Sequence, residues 1–199
     1  MRNRVSKRRL SVPARERQQG FTLVELMIAL SIASILLMLA VPSMEDAAIN
    51  AKLRSQANAF LASLHFARSE GIKRNRRVVV CKSASGTSCV ADDGATGWEQ
   101  GWIVFQDTNN DGLRSGDEII IERNQALDSG FVLAGNDTVD DYVSFHPSGT
   151  TLPVGGGFQA GTLTLCRSTP TISPNGRRII ISSVGRMRIE AVDDLATCP

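Results

Sequence analysis

The chain has 199 residues, 22 of them lysine or arginine against 20 aspartate or glutamate, with two histidines and four cysteines. Neither His65 nor His146 stands in a nucleophile or metal-ligand spacing, and no GxSxG, HExxH or phosphate-loop pattern occurs, so the composition gives no support to an enzyme. A net charge of +2 also excludes a protein that coats nucleic acid by bulk charge alone.

The basic residues are concentrated at the start. Residues 1–20 read as a leader carrying Arg2, Arg4, Lys7, Arg8, Arg9, Arg15 and Arg17 against Glu16 alone, an excess that marks the cytoplasmic side of a membrane segment. Residues 21–42 follow as a hydrophobic segment, its run from Phe21 to Val41 close to the roughly 20 residues a spanning helix needs. Glu25 interrupts it. A charge at bilayer depth costs about 2.5 to 3.5 kcal/mol and therefore calls for a partner, most naturally an amine. A secretory signal would end in a small-residue cleavage site, which Val41-Pro42-Ser43 does not supply. Without residues 1–20 the chain keeps 15 basic and 19 acidic residues, a net of −4. Binding of a polyanion must then rest on a local cluster.

Gly20-Phe21-Thr22-Leu23-Val24-Glu25 resembles the processing site of the type IV prepilin family, which includes the pseudopilins of type II secretion. The resemblance implies that a prepilin peptidase cuts between Gly20 and Phe21 and methylates the new amine, and that Glu25 pairs with that amine on a neighbouring pilin subunit during assembly. It also implies a single-pass inner-membrane protein with its head in the periplasm, open to incorporation in an extracellular pilus.

Residues 43–75 continue in a helical pattern, with Leu53, Ala57, Phe60, Leu64 and Ala67 forming a narrow apolar stripe. Pro42 is expected to kink the helix and Gly71 to stop or hinge it. Residues 76–199 switch to short β-branched and aromatic runs divided by turn residues. The expected strands are Arg77 to Lys82, Gly101 to Gln106, Glu118 to Arg123, Phe131 to Ala134, Tyr142 to Phe145, Leu163 to Cys166, Arg178 to Ser182 and Met187 to Ala191. The class is thus α+β: a long N-terminal helix on a β-rich head. Gly155-Gly156-Gly157 reads as a loop, because no helix start follows it.

Ser69-Glu70-Gly71-Ile72-Lys73-Arg74-Asn75, Gly101-Trp102-Ile103-Val104-Phe105-Gln106-Asp107 and Asp117-Glu118-Ile119-Ile120 are similar to the FimT and GspH branch of pilin-like proteins. That resemblance implies two antiparallel sheets packed against the helix end, and a minor subunit of the filament.

Cys81, Cys89, Cys166 and Cys198 all lie in the exported part, where disulfides are expected, and the absence of any CxxC disfavours zinc. Four cysteines allow three pairings. Cys81 with Cys89 would close a short loop, and Cys166 with Cys198 would tie down a tail that otherwise frays. Asp107, Asn109, Asp111 and Glu118 satisfy a calcium-loop spacing. Their flanks read as strands rather than helices, so a polar hairpin is the competing reading, and no cofactor is expected beyond that calcium option.

The last cluster is Gly185-Arg186-Met187-Arg188, beside Gly176-Arg177-Arg178. Arg186 and Arg188 fall on one face of a strand, and arginine's planar fork suits phosphate. An edge strand protected by charge has the same composition. Lys73-Arg74-Asn75-Arg76-Arg77 either extends a phosphate track or solvates the helix exit. Gly185, Arg186 and Arg188 resemble the Gly-Arg-x-Arg motif with which FimT proteins bind double-stranded DNA in natural transformation, with Arg177 and Arg178 as candidate additions. The resemblance thus implies a DNA-binding minor pilin. The alternative is a GspH-like pseudopilin or tip subunit that touches no DNA.

Overall fold

The computed structural model describes residues 20–90, 97–168, 176–192 and 198, apart from the side chains at 39–43 and 46. All of the expected leader except Gly20 lies outside the described residues. The chain divides into two compact units, Met1–Glu45 and Asp46–Pro199.

A single helix, α1, runs from Leu23 to Arg74. Its start is set by Thr22, whose hydroxyl accepts the Glu25 amide at 3.2 Å, satisfying a donor that the first helical turn leaves unpaired. Leu23, Val24, Leu26, Met27, Ile28, Leu30 and the other large apolar side chains up to Met38 are exposed. No helix is long and apolar enough among the described residues to cross a membrane.

The helix runs through Gly71, the candidate stop or hinge, without stopping there. It ends one turn later, where Asn75 takes a φ of +50°. The Asn75 amide donates to the Ile72 carbonyl and the Arg76 amide to the Gly71 carbonyl, both at 3.3 Å. These two bonds close the last turn, and asparagine tolerates the left-handed backbone that the closure demands.

In the second unit eight strands follow among the described residues: β1 (Arg77–Lys82), β2 (Trp102–Asp107), β3 (Ile120–Asn124), β4 (Phe131–Gly135), β5 (Tyr142–Phe145), β6 (Gly161–Arg167), β7 (Gly176–Ile181) and β8 (Met187–Val192). They form two four-stranded sheets of order β3-β2-β1-β5 and β4-β6-β7-β8, every pairing antiparallel. Strand alternation supplies the core. Val78, Val80, Trp102, Val104, Val143 and Phe145 from the first sheet join Leu133, Leu163, Leu165, Ile179 and Ile181 from the second. The helical stripe Leu53, Ala57, Phe60, Leu64 and Ala67 completes the same cluster and is fully covered. Burying each such large side chain contributes about 1.5 to 3 kcal/mol. Phe60 meets Trp98 and Trp102 edge to face, at 5.2 and 4.9 Å between ring centres, the arrangement that aromatic quadrupoles favour.

Disulfides join Cys81 to Cys89 and Cys166 to Cys198. The first lies beside a small second cluster of Val79, Ile103 and Phe105 on the other face of its sheet. The second joins positions 32 apart in sequence, and the loop it closes contains β7 and β8.

Candidate nucleic-acid interface

β7 and β8 form a hairpin whose register sets Ile181 opposite Met187, Ile180 opposite Arg188, Ile179 opposite Ile189, Arg178 opposite Glu190 and Arg177 opposite Ala191. Because side chains alternate, Ile179, Ile181, Met187 and Ile189 turn toward the core. Arg178, Arg188 and Glu190 turn outward, and Arg186, two residues before Arg188, shares their face. Arg178, Arg186 and Arg188 are all exposed.

Arg177 does not join them. It has the parity of Ile179 and Ile181, lies between Leu165 and Ala191 across the strands, and is only 6% exposed. Its Nη1 donates to the Gly176 carbonyl at 2.7 Å. Adjacent strand residues cannot both face solvent on one side, so the expected pairing of Arg177 with Arg178 in one patch fails on period two.

The hairpin turn is held by glycine. Gly185 has a φ of +73°, its amide donates to the Ser182 carbonyl at 2.8 Å, and the Ser182 amide donates to the Arg186 carbonyl at 2.9 Å. A three-residue connection of this type needs a left-handed residue at its end. A Cβ on Gly185 would also collide with the Gly149 carbonyl. That carbonyl accepts the Arg68 Nε at 2.9 Å, and the Thr151 amide donates to the Ser183 carbonyl at 3.1 Å. The arginine hairpin is therefore seated against both the 146–151 turn and α1.

Between α1 and the hairpin lies a groove of about 530 Å³ lined by His65, Arg68, Ile180, Ser182, Val184, Arg186, Met187 and Arg188. Sequence reasoning placed neither His65 nor Arg68 at the site. Their only signal is a spacing of three that puts them on one side of the buried stripe. Among the described residues the guanidinium groups of Arg178 and Arg186 have no hydrogen-bond or ion-pair partner, whereas Arg188 is paired with Glu190.

The other candidate sites are occupied by structural bonds. Glu70 accepts Lys73 at 3.2 Å and Arg74 at 2.6 Å, and Arg77 donates to Asn110, Ser144 and the Leu152 carbonyl, so most of the basic segment at the helix exit is engaged locally. The Arg74 hydrogen bond, aided by Lys73, holds the Glu70 carboxyl below its ordinary value despite burial.

Between β2 and β3, the buried Asp107 accepts the amides of Asn110 at 2.6 Å and Gly112 at 3.1 Å. Glu118 accepts the Thr108 amide at 2.6 Å and the Ser115 amide at 2.9 Å. Asn109 and Asp111 bond each other. The loop is a strand-to-strand hairpin whose oxygens are taken by its own amides, and burial pushes the Asp107 carboxyl up. No group of three or more His, Cys, Asp or Glu suited to a metal is found among the described residues.

Comparison with known proteins bears on both the fold and the N-terminus. The type IV minor pilin FimU of Pseudomonas aeruginosa strain PAO1 is similar in structure, with a TM-score of 0.51 at 20% identity over 71% of this chain and 90% of that one. The minor pseudopilin EpsH from the type 2 secretion system of Vibrio cholerae gives a TM-score of 0.46 at 14% identity, over 70% of this chain and 97% of that one. No curated protein matches in sequence. The family model for the prokaryotic N-terminal methylation motif matches residues 15–41, which marks a prepilin-type, membrane-anchored subunit. The model for type II transport protein GspH matches residues 56–185, from the amphipathic helix to the hairpin turn. This chain therefore belongs to the GspH family of pilin-like subunits.

Proposed function

We propose that this subunit is a minor pilin whose head binds extracellular double-stranded DNA without sequence preference, in the service of DNA uptake. The observation that carries the reading is the outward row of Arg186, Arg188 and Arg178 on one hairpin face, on a chain that is net negative once residues 1–20 are lost. Guanidinium groups aimed at solvent recognise phosphate and leave base edges unread, so binding is general and salt-sensitive. In this reading a prepilin peptidase removes residues 1–20, residues 21–42 anchor the chain in the inner membrane, and residues 43–75 carry the periplasmic head of residues 76–199 until it assembles with other pilins.

The test is DNA retention by the full chain in uncharged detergent across a salt series. Two to three phosphate contacts give a slope of log affinity against log salt of roughly −2 to −3. Replacing Arg186 and Arg188 together with Gln should remove most of the binding and leave the melting temperature nearly unchanged, since exposed substitutions alter stability by less than about 0.5 kcal/mol. Undiminished binding by that variant overturns the site. The second reading, a GspH-like pseudopilin or tip subunit without DNA binding, is favoured by the family match over residues 56–185, and absence of binding by the parent at low salt would leave it in place of the first.

A further inference from the structure

Arg188 is not free in the arginine row. Its Nε and Nη2 both bond the same carboxylate oxygen, Oε1 of Glu190, at 2.9 and 2.8 Å. The two residues are two apart on β8 and share a face. Glu190 also stands directly opposite Arg178 on β7. One carboxylate thus bonds one cation of the row and faces a second, while the Arg186 guanidinium at the turn has no partner among the described residues. The Arg188 and Glu190 side chains are 66% and 47% exposed, and an exposed pair of this kind adds little to stability. Its larger effect falls on whatever else seeks Arg188.

We propose that Glu190 is an intramolecular competitor for the ligand's phosphate, occupying Arg188 in the free protein and yielding it to a polyanion already anchored at Arg186. The proposal rests on the DNA reading and deepens it, because it sets which phosphates the face accepts. A carboxylate tethered two residues away presents itself at an effective concentration of millimolar order or above. An isolated phosphate in dilute solution cannot displace it. A polyphosphodiester held at Arg186 presents its next phosphate intramolecularly as well, and competes on equal terms. Glu190 therefore selects linear polyanions over single phosphates and keeps capture reversible.

The experiment compares the full chain in uncharged detergent with Glu190→Gln, Arg188→Gln and the double variant, using a labelled DNA duplex with inorganic phosphate as competitor. Glu190→Gln should bind the duplex about three to ten times more tightly at low salt, with a salt slope steeper by up to about 0.9. Inorganic phosphate should displace DNA from it at lower concentration, relative to DNA affinity, than from the parent. In the Arg188→Gln background the same change should gain little, because the competitor then has nothing to release. Glu190→Ala should repeat the gain, with melting curves confirming that each variant is folded. Unchanged affinity in both Glu190 variants, or an equal gain with and without Arg188, would overturn the competitor role while leaving DNA binding intact. A parent that retains no duplex overturns the DNA reading itself, and this proposal with it.

Discussion

Gly185 makes the arginine motif depend on a residue without a side chain. Alanine there would have to adopt a φ of +73° and push its Cβ into the Gly149 carbonyl. Such a backbone position costs about 1 to 3 kcal/mol for a residue with a Cβ. Gly185→Ala should therefore lower the melting temperature and weaken DNA retention, although neither outward arginine is touched. Thermal melts alongside the retention assay check both effects, and a variant as stable as the parent would show that the turn is not held by this contact. The sequence already contained part of this answer. Period two separates Arg177 from Arg178 as soon as β7 is recognised, and overlooking it put a buried arginine in the patch. His65 and Arg68 are different: they reach the groove through packing of α1 against the hairpin, which no local pattern encodes.

At the scale of elements, the exit of α1 is a knot of charge. Glu70 lies in the last turns, where the helix dipole disfavours a carboxylate, and Lys73 and Arg74 counter that. Its carboxyl is held below the ordinary value, first by the Arg74 hydrogen bond. A depressed carboxylate contributes stability that is present above its unfolded value and is lost as the pH falls through its folded one. Glu70→Gln should accordingly be less stable than the parent near neutrality and converge with it in acid, as urea midpoints measured across the pH range will show. Asp107 acts with the opposite sign: burial raises its value, so its contribution is present below its unfolded value and is lost as the pH rises through its higher folded one. All eight strands lie close to the stretches where β-branched runs and turn residues placed them, because alternation is local. The helix passes through Gly71, the candidate stop or hinge, and Asn75 is the residue that takes the left-handed turn. Division into two sheets was legible only through family resemblance, since antiparallel neighbours leave the same pattern in either sheet.

For the whole molecule, the charge balance turns on one peptide bond. With residues 1–20 the chain is net positive, and without them it is −4. Cleavage between Gly20 and Phe21 should give an N-terminal sequence beginning Phe21-Thr22-Leu23 in protein recovered from membranes. Retention of the leader in cells that process their other prepilins would contradict it. The ring closed by Cys166 and Cys198 bears on how the head withstands proteolysis. A protease that nicks the backbone once anywhere between those cysteines opens a loop but releases no fragment, because both new ends stay covalently joined through sulfur. The strands that carry Arg178, Arg186 and Arg188 would thus stay leashed to the molecule after a single cut, and it is loss of oxidising conditions, rather than the cut, that would set a piece of the head adrift.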